Sequence, residues 1–281
     1  RLINFGAVKS FSERLQQATV DFDSILCVGL DIDADRIDPE SPPSLDEMKS
    51  FTKSVIEATL DHVCAFKLNL AFFESYGSKG FAWLEETLDF IGGRRLTIGD
   101  GKRSDIDNTA KKYAAAMFDH FGFDAVTLSP YMGPDSLSPF LDRPDRGAFV
   151  LCLTSNPGAD DFEKLAIDGY PLYRRVAEKA LEWNAVAPCG LVVGATQGKA
   201  IHGLRELAPE LPFLLPGVGT QGGDLESAVR QGQFASGGGL LVNASRGVIY
   251  ASDDSDFEIA ARRAAEALRA AINRFRSPPP G

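Results

Sequence analysis

The chain contains few of the residues on which metal sites and histidine-dependent catalysis are built. It has three histidines, His62, His120 and His202, and they do not match the ligand spacing of a zinc site. None has an obvious serine or cysteine partner for a histidine-based triad. The four cysteines form no C-x-x-C pair, and three lie in apolar runs, so we expect buried, reduced thiols. We therefore expect neither a metal site nor a histidine-based triad.

Long apolar segments and excess positive charge are also lacking. No run approaches the roughly 18 apolar residues that indicate a membrane span. Residues 1–6 lack the unbroken apolar core of a signal peptide, and this predicts a cytoplasmic protein. The formal net charge of −10 argues against nucleic acid or an anionic membrane as a partner. A small anionic substrate is still compatible with this charge, because a few local cations can dominate a pocket.

Short apolar segments alternate with longer amphipathic ones along most of the chain. With 281 residues and 44% hydrophobic residues, the chain can bury one large core. Eight runs have the character of buried strands: Ile25–Ile32, Val63–Leu70, Arg95–Asp100, Ala125–Ser129, Ala148–Thr154, Gly190–Ala195, Phe213–Val218 and Leu240–Ala244. Helical periodicity is found between or after them, in Ser44–Asp61, Asp105–Phe121, Tyr170–Asn184, Asp224–Gln233 and Asp256–Phe275.

This alternation predicts an α/β protein with a closed parallel (β/α)8 barrel, the TIM-barrel fold. We expect residues 1–281 to form a single barrel domain with a short N-terminal extension and a Pro-rich C-terminal tail. The main alternative is an open, doubly wound sheet. No G-x-G-x-x-G follows the first strand, which argues against that alternative.

Polar and charged residues follow the ends of several predicted strands. They include Asp31, the Asp100-Gly101-Lys102 segment, Thr154-Ser155 and Ser245-Arg246. A TIM barrel carries its active site at the carboxyl ends of its strands, so these side chains should meet there. The glycine-rich runs 194–198 and 236–239 are interpreted as turns.

Two lysines in this set have close acidic neighbours. Asp100 and Lys102 should share one face of their strand because strand residues alternate, and Asp105 follows at the start of the next helix. Lys67 lies inside an otherwise largely apolar strand, where a lysine is costly unless it is paired. Asp31 and Asp100 end the strands on either side and can pair with it. A rim salt bridge and a lysine that reaches solvent are the purely structural alternatives.

The segment after the seventh predicted strand favours an anion site. The glycines in residues 217–223 let backbone N–H groups approach an anion, and a helix is expected to begin at Asp224. Loops after barrel strands seven and eight frequently bind phosphate, and Arg246 can grip phosphate oxygens with two donors. A glycine-rich turn with a surface arginine is the alternative, which the barrel context disfavours.

The order of these motifs resembles that of a known enzyme family. Lys67 followed by Asp100-x-Lys102-x-x-Asp105 resembles the Lys-Asp-Lys-Asp tetrad of the orotidine 5'-phosphate decarboxylases. The resemblance runs from about Ile25 to Tyr250 and takes in these further segments: Leu30-Asp31, Asp105-Ile106-Asp107-Asn108-Thr109, Thr154–Gly158, Pro216–Gly223 and Ser245–Gly247. The Asp160–Gly169 stretch and the N-terminal extension resemble the longer bacterial subgroup.

The resemblance implies decarboxylation of orotidine 5'-phosphate to UMP in de novo pyrimidine biosynthesis, without a metal or organic cofactor. Lys102 would protonate C6 of the pyrimidine beside Asp100, while Asp31 and Lys67 would hold the ribose hydroxyls. The remaining assignments that it implies are the pyrimidine edge for Ser155 and the phosphate for Gln221 and Arg246. It also implies a homodimer in which Asp105 and Thr109 complete the neighbouring site.

Two other functions remain open on the sequence. Sugar-phosphate decarboxylases of the same barrel group, such as the 3-keto-gulonate-phosphate decarboxylases, resemble this chain at Asp100-x-Lys102-x-x-Asp105. They typically carry a metal-binding glutamate where this chain has Lys67, which favours the orotidine enzyme. A non-catalytic nucleotide-binding protein is the second alternative, although two lysines and two aspartates are a costly way to bind a neutral base.

Overall fold

Eight parallel strands form a closed barrel in the computed structural model, which describes residues 9–185, 187–218, 225–254 and 256–277. In chain order the strands are β1 (Leu26–Gly29), β2 (Ala65–Asn69), β3 (Leu96–Arg103), β4 (Ala125–Leu128), β5 (Gly147–Leu153), β6 (Cys189–Val193), β7 (Phe213–Pro216) and β8 (Leu240–Ala244). Strand β1 pairs with both β2 and β8, which closes the barrel. The predicted (β/α)8 fold is therefore confirmed.

Helices alternate with the strands along the chain. The longer ones are Phe11–Asp21, Leu45–Thr59, Gly77–Ile91, Asp107–Ala114, Leu172–Asn184, Gly198–Leu207, Leu225–Gly232 and Phe257–Phe275. The shorter ones are Ala34–Ile37, Leu70–Glu74, Ser138–Leu141 and Arg246–Ile249, and a π-helical segment, Ala115–His120, continues the fourth long helix. Ser44 caps the Leu45–Thr59 helix, because its hydroxyl accepts from Glu47 N–H and the Glu47 carboxylate accepts from Ser44 N–H.

Several element boundaries differ from the sequence prediction. Strand β3 continues three residues beyond Asp100, to Arg103. The helix expected from Asp105 begins at Asp107, so Asp105 lies in the preceding turn. The helix expected from Tyr170 begins at Leu172, because Tyr170 and Pro171 pair with Ala166–Ile167 in a small antiparallel hairpin. The predicted helix start at Asp224 lies outside the described residues.

The N-terminal Phe11–Asp21 helix closes the amino end of the barrel. Phe11, Leu15 and Ala18 pack with the innermost side chains of the strands in one buried cluster. The Phe11 ring meets the Phe149 ring edge-on at 5.9 Å, and a Cβ at Gly147 would lie 2.3 Å from Phe11. Because this end is filled by apolar packing, only the carboxyl ends of the strands are left to form a site.

All four cysteines are free and buried. Burial raises the pKa of Cys64 and of Cys189 to about 12, so these thiols stay protonated and unreactive at neutral pH. Within the described ranges, no helix combines the length and the apolar character that a membrane span requires.

Candidate active site

A cavity of about 320 Å³ opens at the carboxyl ends of the strands. Part of its lining is apolar and includes the side chains of Leu151, Val192, Leu214 and Pro216. Charged and polar side chains also line the cavity: Asp31, Lys67, Asn69, Asp100, Lys102, Thr127, Thr154, Asn243, Ser245 and Arg246. The cavity therefore offers both an apolar surface for a flat ring and a dense set of charges.

Four side chains form a row of alternating charge along one wall. Lys67 Nζ lies 2.9 Å from Asp100 Oδ2 and 3.6 Å from Asp31 Oδ1. Lys102 Nζ lies 2.7 Å from the other oxygen of Asp100, Oδ1. Lys67 is 5% exposed and Asp100 8%, whereas the Lys102 side chain is 48% exposed. The inner pair is therefore built into the barrel, and Lys102 reaches from it into the open cavity.

A bulge in β3 brings Lys102 back onto Asp100. Gly99 pairs with Val126 and Arg103 with Leu128, so three residues, Asp100–Lys102, oppose the single residue Thr127. Lys102 has a φ of +47°, a left-handed conformation that costs a non-glycine residue about 1–3 kcal/mol. Its N–H donates to Thr127 Oγ1 at 3.0 Å, which fixes this turn. The predicted contact is present, but the regular alternation from which it was predicted does not produce it.

The charge row sets the ionisation of its buried members. Burial by itself would lower the pKa of Lys67, but the carboxylates of Asp31 and Asp100 outweigh burial and raise it above its ordinary value. Burial would raise the pKa of Asp100, yet the ammonium groups of Lys67 and Lys102 hold it well below its usual range. At neutral pH this wall of the cavity therefore carries the buried Asp100 carboxylate between the ammonium groups of Lys67 and Lys102.

Two described residues of the predicted anion site, Gly217 and Arg246, line the cavity at the ends of β7 and β8. Gly217, just after β7, has a φ of +90°, and its lack of a side chain keeps the backbone accessible. Arg246 follows β8, lines the cavity and forms no ion pair with any described residue. Gln221 and the other predicted glycines (Gly219, Gly222 and Gly223) lie outside the described residues.

Three predicted site residues do not line the cavity within this single chain. The Asp105 carboxylate accepts from its neighbour's N–H, that of Ile106, at 2.8 Å, and Thr109 is exposed on the helix that follows. Ser155 is exposed beyond the end of β5, where its hydroxyl lies 3.1 Å from that of Thr196.

Comparison with known proteins places this geometry in a family. The family model described as "Orotidine 5'-phosphate decarboxylase / HUMPS family" matches residues 24–259. The orotidine 5'-phosphate decarboxylase of Dehalococcoides mccartyi is 46% identical over 270 residues, which are 95% of this chain and 98% of that protein. That of Cupriavidus necator is 44% identical over 271 residues, 95% of this chain and 99% of the relative. The chain belongs to this family.

Solved structures agree with this assignment to the decarboxylase family. The OMP decarboxylase of Leishmania donovani has a TM-score of 0.84 and 39% identity, with 95% of this chain and 98% of that chain covered. The UMP synthase of the same organism has a TM-score of 0.86 and 40% identity, but the match covers 56% of that longer chain.

Sequence reasoning missed several residues that hold this family member's cavity together. Thr127 donates to Asp100 Oδ1 at 2.8 Å, and Asn69 lines the cavity while it accepts from Ala71 N–H. Tyr250 Oη accepts from Asp33 N–H at 2.7 Å and lies 3.2 Å from the carbonyl oxygen of Asp31. Asn69 is two residues after Lys67 on β2 and could have been predicted from strand alternation, whereas Tyr250 is 217 residues from Asp33.

The hairpin segment that follows β5 is tied to the cavity rim. Glu163 accepts from Thr154 N–H at 2.7 Å and from its hydroxyl at 3.0 Å. Gln197, from the segment after β6, donates to the Thr154 carbonyl at 3.1 Å. The 194–198 segment, interpreted as a simple turn, therefore also braces the end of β5 beside Ser155.

Proposed function

We propose that this protein decarboxylates orotidine 5'-phosphate to UMP in de novo pyrimidine biosynthesis. The observation that carries the proposal is the row Asp31–Lys67–Asp100–Lys102, in which Asp100 lies 2.9 Å from one ammonium group and 2.7 Å from the other. Support also comes from relatives named orotidine 5'-phosphate decarboxylase, which are 44–46% identical over 95% of this chain. A cavity with fixed charges on one wall suits a reaction whose difficulty is charge development at one ring carbon.

The proposed substrate orientation follows the distribution of charge in the cavity. The phosphate lies at the β7 and β8 ends, where Arg246 is free of ion pairs with described residues and Gln221 follows in the chain. The ribose lies beside Asp31 and Lys67, whose groups can accept from and donate to its hydroxyls. The pyrimidine then lies with C6 toward Lys102 and its edge toward Ser155. Binding energy from the phosphate can be expressed at the reacting carbon.

In the proposed reaction the C6–carboxylate bond breaks, and its electron pair stays on C6 as CO2 departs. The Lys102 ammonium offsets this developing carbanion and donates a proton to C6, which leaves a neutral amine that solvent protonates again. Asp100 keeps Lys102 aimed into the cavity through their 2.7 Å contact. Lys67 neutralises the buried face of Asp100, so that Asp100 stays ionised beside the reacting carbon.

No metal or organic cofactor takes part in the proposed reaction. The sugar-phosphate decarboxylases that the sequence resembles at Asp100–Asp105 typically carry a metal-binding glutamate at the position of Lys67, and an ammonium group cannot ligate a metal. The test is to treat the protein exhaustively with EDTA and then to measure turnover of orotidine 5'-phosphate as the loss of orotate absorbance. Turnover should be undiminished. Activity lost to EDTA and restored by Mg²⁺ would favour a sugar-phosphate reaction, and UMP binding without turnover would favour a binding protein.

We also propose that the enzyme is a homodimer in which Asp105 and Thr109 complete the partner's site. Neither residue lines the cavity of its own chain. Exposed apolar side chains surround the segments after β3 and β4, where Ile106 is 49% exposed, Tyr131 82% and Met132 46%. A surface of this kind is typical of a protein interface, and a twofold partner would cover it.

Subunit mixing tests the shared site. Asp105→Ala chains and Lys102→Ala chains should each be inactive alone. Random exchange at equal concentrations makes about half of the dimers mixed, and each mixed dimer has one intact site, so about a quarter of wild-type activity should return. Proven exchange without recovery would refute the shared site and leave the decarboxylase proposal standing.

Two coarser features complete the proposal. One domain spans the whole chain, as supported by a barrel whose strands run from Leu26 to Ala244 and by a single family match over residues 24–259. A cytoplasmic setting is supported by the four unpaired, buried thiols, which are stable in a reducing compartment. Fractionation of the native cells tests the location.

A further inference from the structure

Asn243, on β8, is a buried amide that neither the charge row nor the anion site uses. It is 4% exposed and lines the cavity, and its Oδ1 has no hydrogen-bond partner among the described residues. Among the described residues, Asp31 Oδ1 is the other buried side-chain atom of the cavity lining that has no hydrogen-bond partner. Buried polar groups are nearly always hydrogen-bonded, so an orphaned amide at a cavity wall indicates a partner that arrives with the ligand.

Strand register shows where Asn243 lies relative to the charge row. Asn243 pairs with Cys27 and Cys27 with Ala65, and the residue two positions after Ala65 is Lys67. The tilt of barrel strands brings residues related in this way into one layer of alternate strands. Each step crosses two strand pairings and then moves two residues along the strand. Four such steps around the barrel lead back to Asn243. The layer contains one residue from each even-numbered strand: Lys67, Thr127, Val192 and Asn243.

Lys67 and Asn243 are neighbours within this layer, on either side of β1. The β1 residue paired with Lys67 is Gly29, and the Ser245 hydroxyl and the Asn243 amide both lie close to it. A Cβ at Gly29 would lie 3.4 Å from Asn243 Oδ1 and 2.0 Å from Ser245 Oγ. Asn243 lies on the strand opposite β4, and so on the far side of the barrel from Thr127. Asn243 therefore lines the cavity on the β8 wall, three residues before Arg246 and next to Lys67 in the layer.

We propose that the Asn243 amide binds a ribose hydroxyl of the nucleotide, as a specificity residue that acts together with Asp31 and Lys67. The part of a nucleoside monophosphate that lies between its phosphate and its base is the ribose. A hydroxyl both donates and accepts, so it can satisfy an amide oxygen and an ammonium group at once. This inference rests on the proposed function, because the orientation of the nucleotide follows from it.

The free protein carries an energetic cost for this amide. A buried polar group without a partner destabilises the folded state, and an apolar residue of similar shape removes that cost. Asn243→Leu should therefore leave the melting temperature of the ligand-free protein unchanged or raise it, while nucleotide binding weakens. A purely structural amide would give the reverse, a lower melting temperature with unchanged nucleotide selectivity.

Calorimetric titration with UMP, 2'-deoxy-UMP and 3'-deoxy-UMP tests the contact without requiring turnover. Asn243→Leu should weaken UMP binding about tenfold, the effect of one lost hydrogen bond. For one of the two deoxynucleotides, wild type and variant should bind alike, because the hydroxyl that Asn243 contacts is already absent. Gln231→Leu is the matched control, since Gln231 also has an orphaned buried oxygen but does not line the cavity. It should leave all three affinities unchanged.

Two results would overturn the proposal. Equal weakening for all three nucleotides would mean that Asn243 acts through the fold or an ordered water, and no weakening for any would mean that it contacts no ligand. Asn243→Ala gives the same comparison if leucine prevents folding. Decarboxylation of orotidine 5'-phosphate by wild type is measured separately, so failure of the proposed reaction is distinguishable from failure of this contact.

Discussion

Replacing Lys67 with methionine should strongly destabilise the fold as well as abolish turnover. Lys67 is 5% exposed and is the only cation within 4 Å of both Asp31 and Asp100 among the described residues. Methionine keeps most of the length of the side chain but leaves the buried Asp100 with Lys102 and Thr127 as its side-chain partners among the described residues. The variant therefore isolates the charge of Lys67 from its packing.

The magnitude follows from the burial of this pair. Loss of one partner of a buried ion pair costs about 3–5 kcal/mol, and the contacts that Asp100 retains favour the lower end. A loss of about 3 kcal/mol in a chain of this size lowers the melting temperature by about 6–12 °C. Urea unfolding and thermal melts at pH 7 measure both quantities.

The effect should also depend on pH. Asp100, with its lowered pKa, stabilises the fold above the ordinary aspartate value and loses this contribution as the pH falls through its folded pKa. Lys67, with its raised pKa, stabilises the fold below the ordinary lysine value and loses this contribution as the pH rises through its folded pKa. The difference between wild type and variant should thus be full between about pH 4 and pH 10 and shrink outside that window.

Lys102→Met is the matched control, because it removes a cation from the same carboxylate. The Lys102 side chain is 48% exposed, and ion pairs that solvent reaches contribute about 0–1 kcal/mol. This variant should melt close to wild type and show no decarboxylation. If Lys67→Met melted like wild type, or if Lys102→Met were the less stable of the two, the buried-pair reasoning would be wrong.

Two further predictions concern other parts of the cavity. Arg246→Ala should greatly reduce kcat/KM for orotidine 5'-phosphate but only slightly for orotidine without its phosphate; equal losses on both substrates would instead assign Arg246 to the fold or the base pocket. Tyr250→Phe should cost about 1–3 kcal/mol in urea unfolding, since Asp33 N–H loses its hydroxyl partner, and should raise KM through displacement of Asp31. Burial raises the pKa of Tyr250 to about 12, so this hydroxyl donates and accepts across the neutral range, and an unchanged KM would contradict its role in positioning Asp31.

The amino-acid sequence was sufficient to predict the barrel and five residues that line its cavity, namely Asp31, Lys67, Asp100, Lys102 and Arg246. Each strand is a short apolar run, so it can be located from residues that are adjacent in the sequence. The predicted strand Leu240–Ala244 agrees with the structure at both ends. The motifs at the strand ends are similarly local. A lysine inside an apolar strand signals its need for partners, and the structure gives Lys67 both of the acids expected.

Other features depended on contacts between distant segments. The bulge that turns Lys102 back onto Asp100 is measured against Val126 and Leu128 of the next strand, so no pattern within β3 alone can predict it. Tyr250 is likewise fixed to the segment after β1 only when the barrel closes.

The environment of Asn243 depends most clearly on the closed barrel. In the sequence it is one polar residue at the end of an apolar strand, with nothing to indicate whether it faces the helices or the cavity. Closure of the barrel through eight pairings sets its layer and makes Lys67 its neighbour across β1. Register accumulates around the whole ring of strands, so the neighbours of a residue inside the barrel are a property of the closed sheet rather than of any segment of the chain.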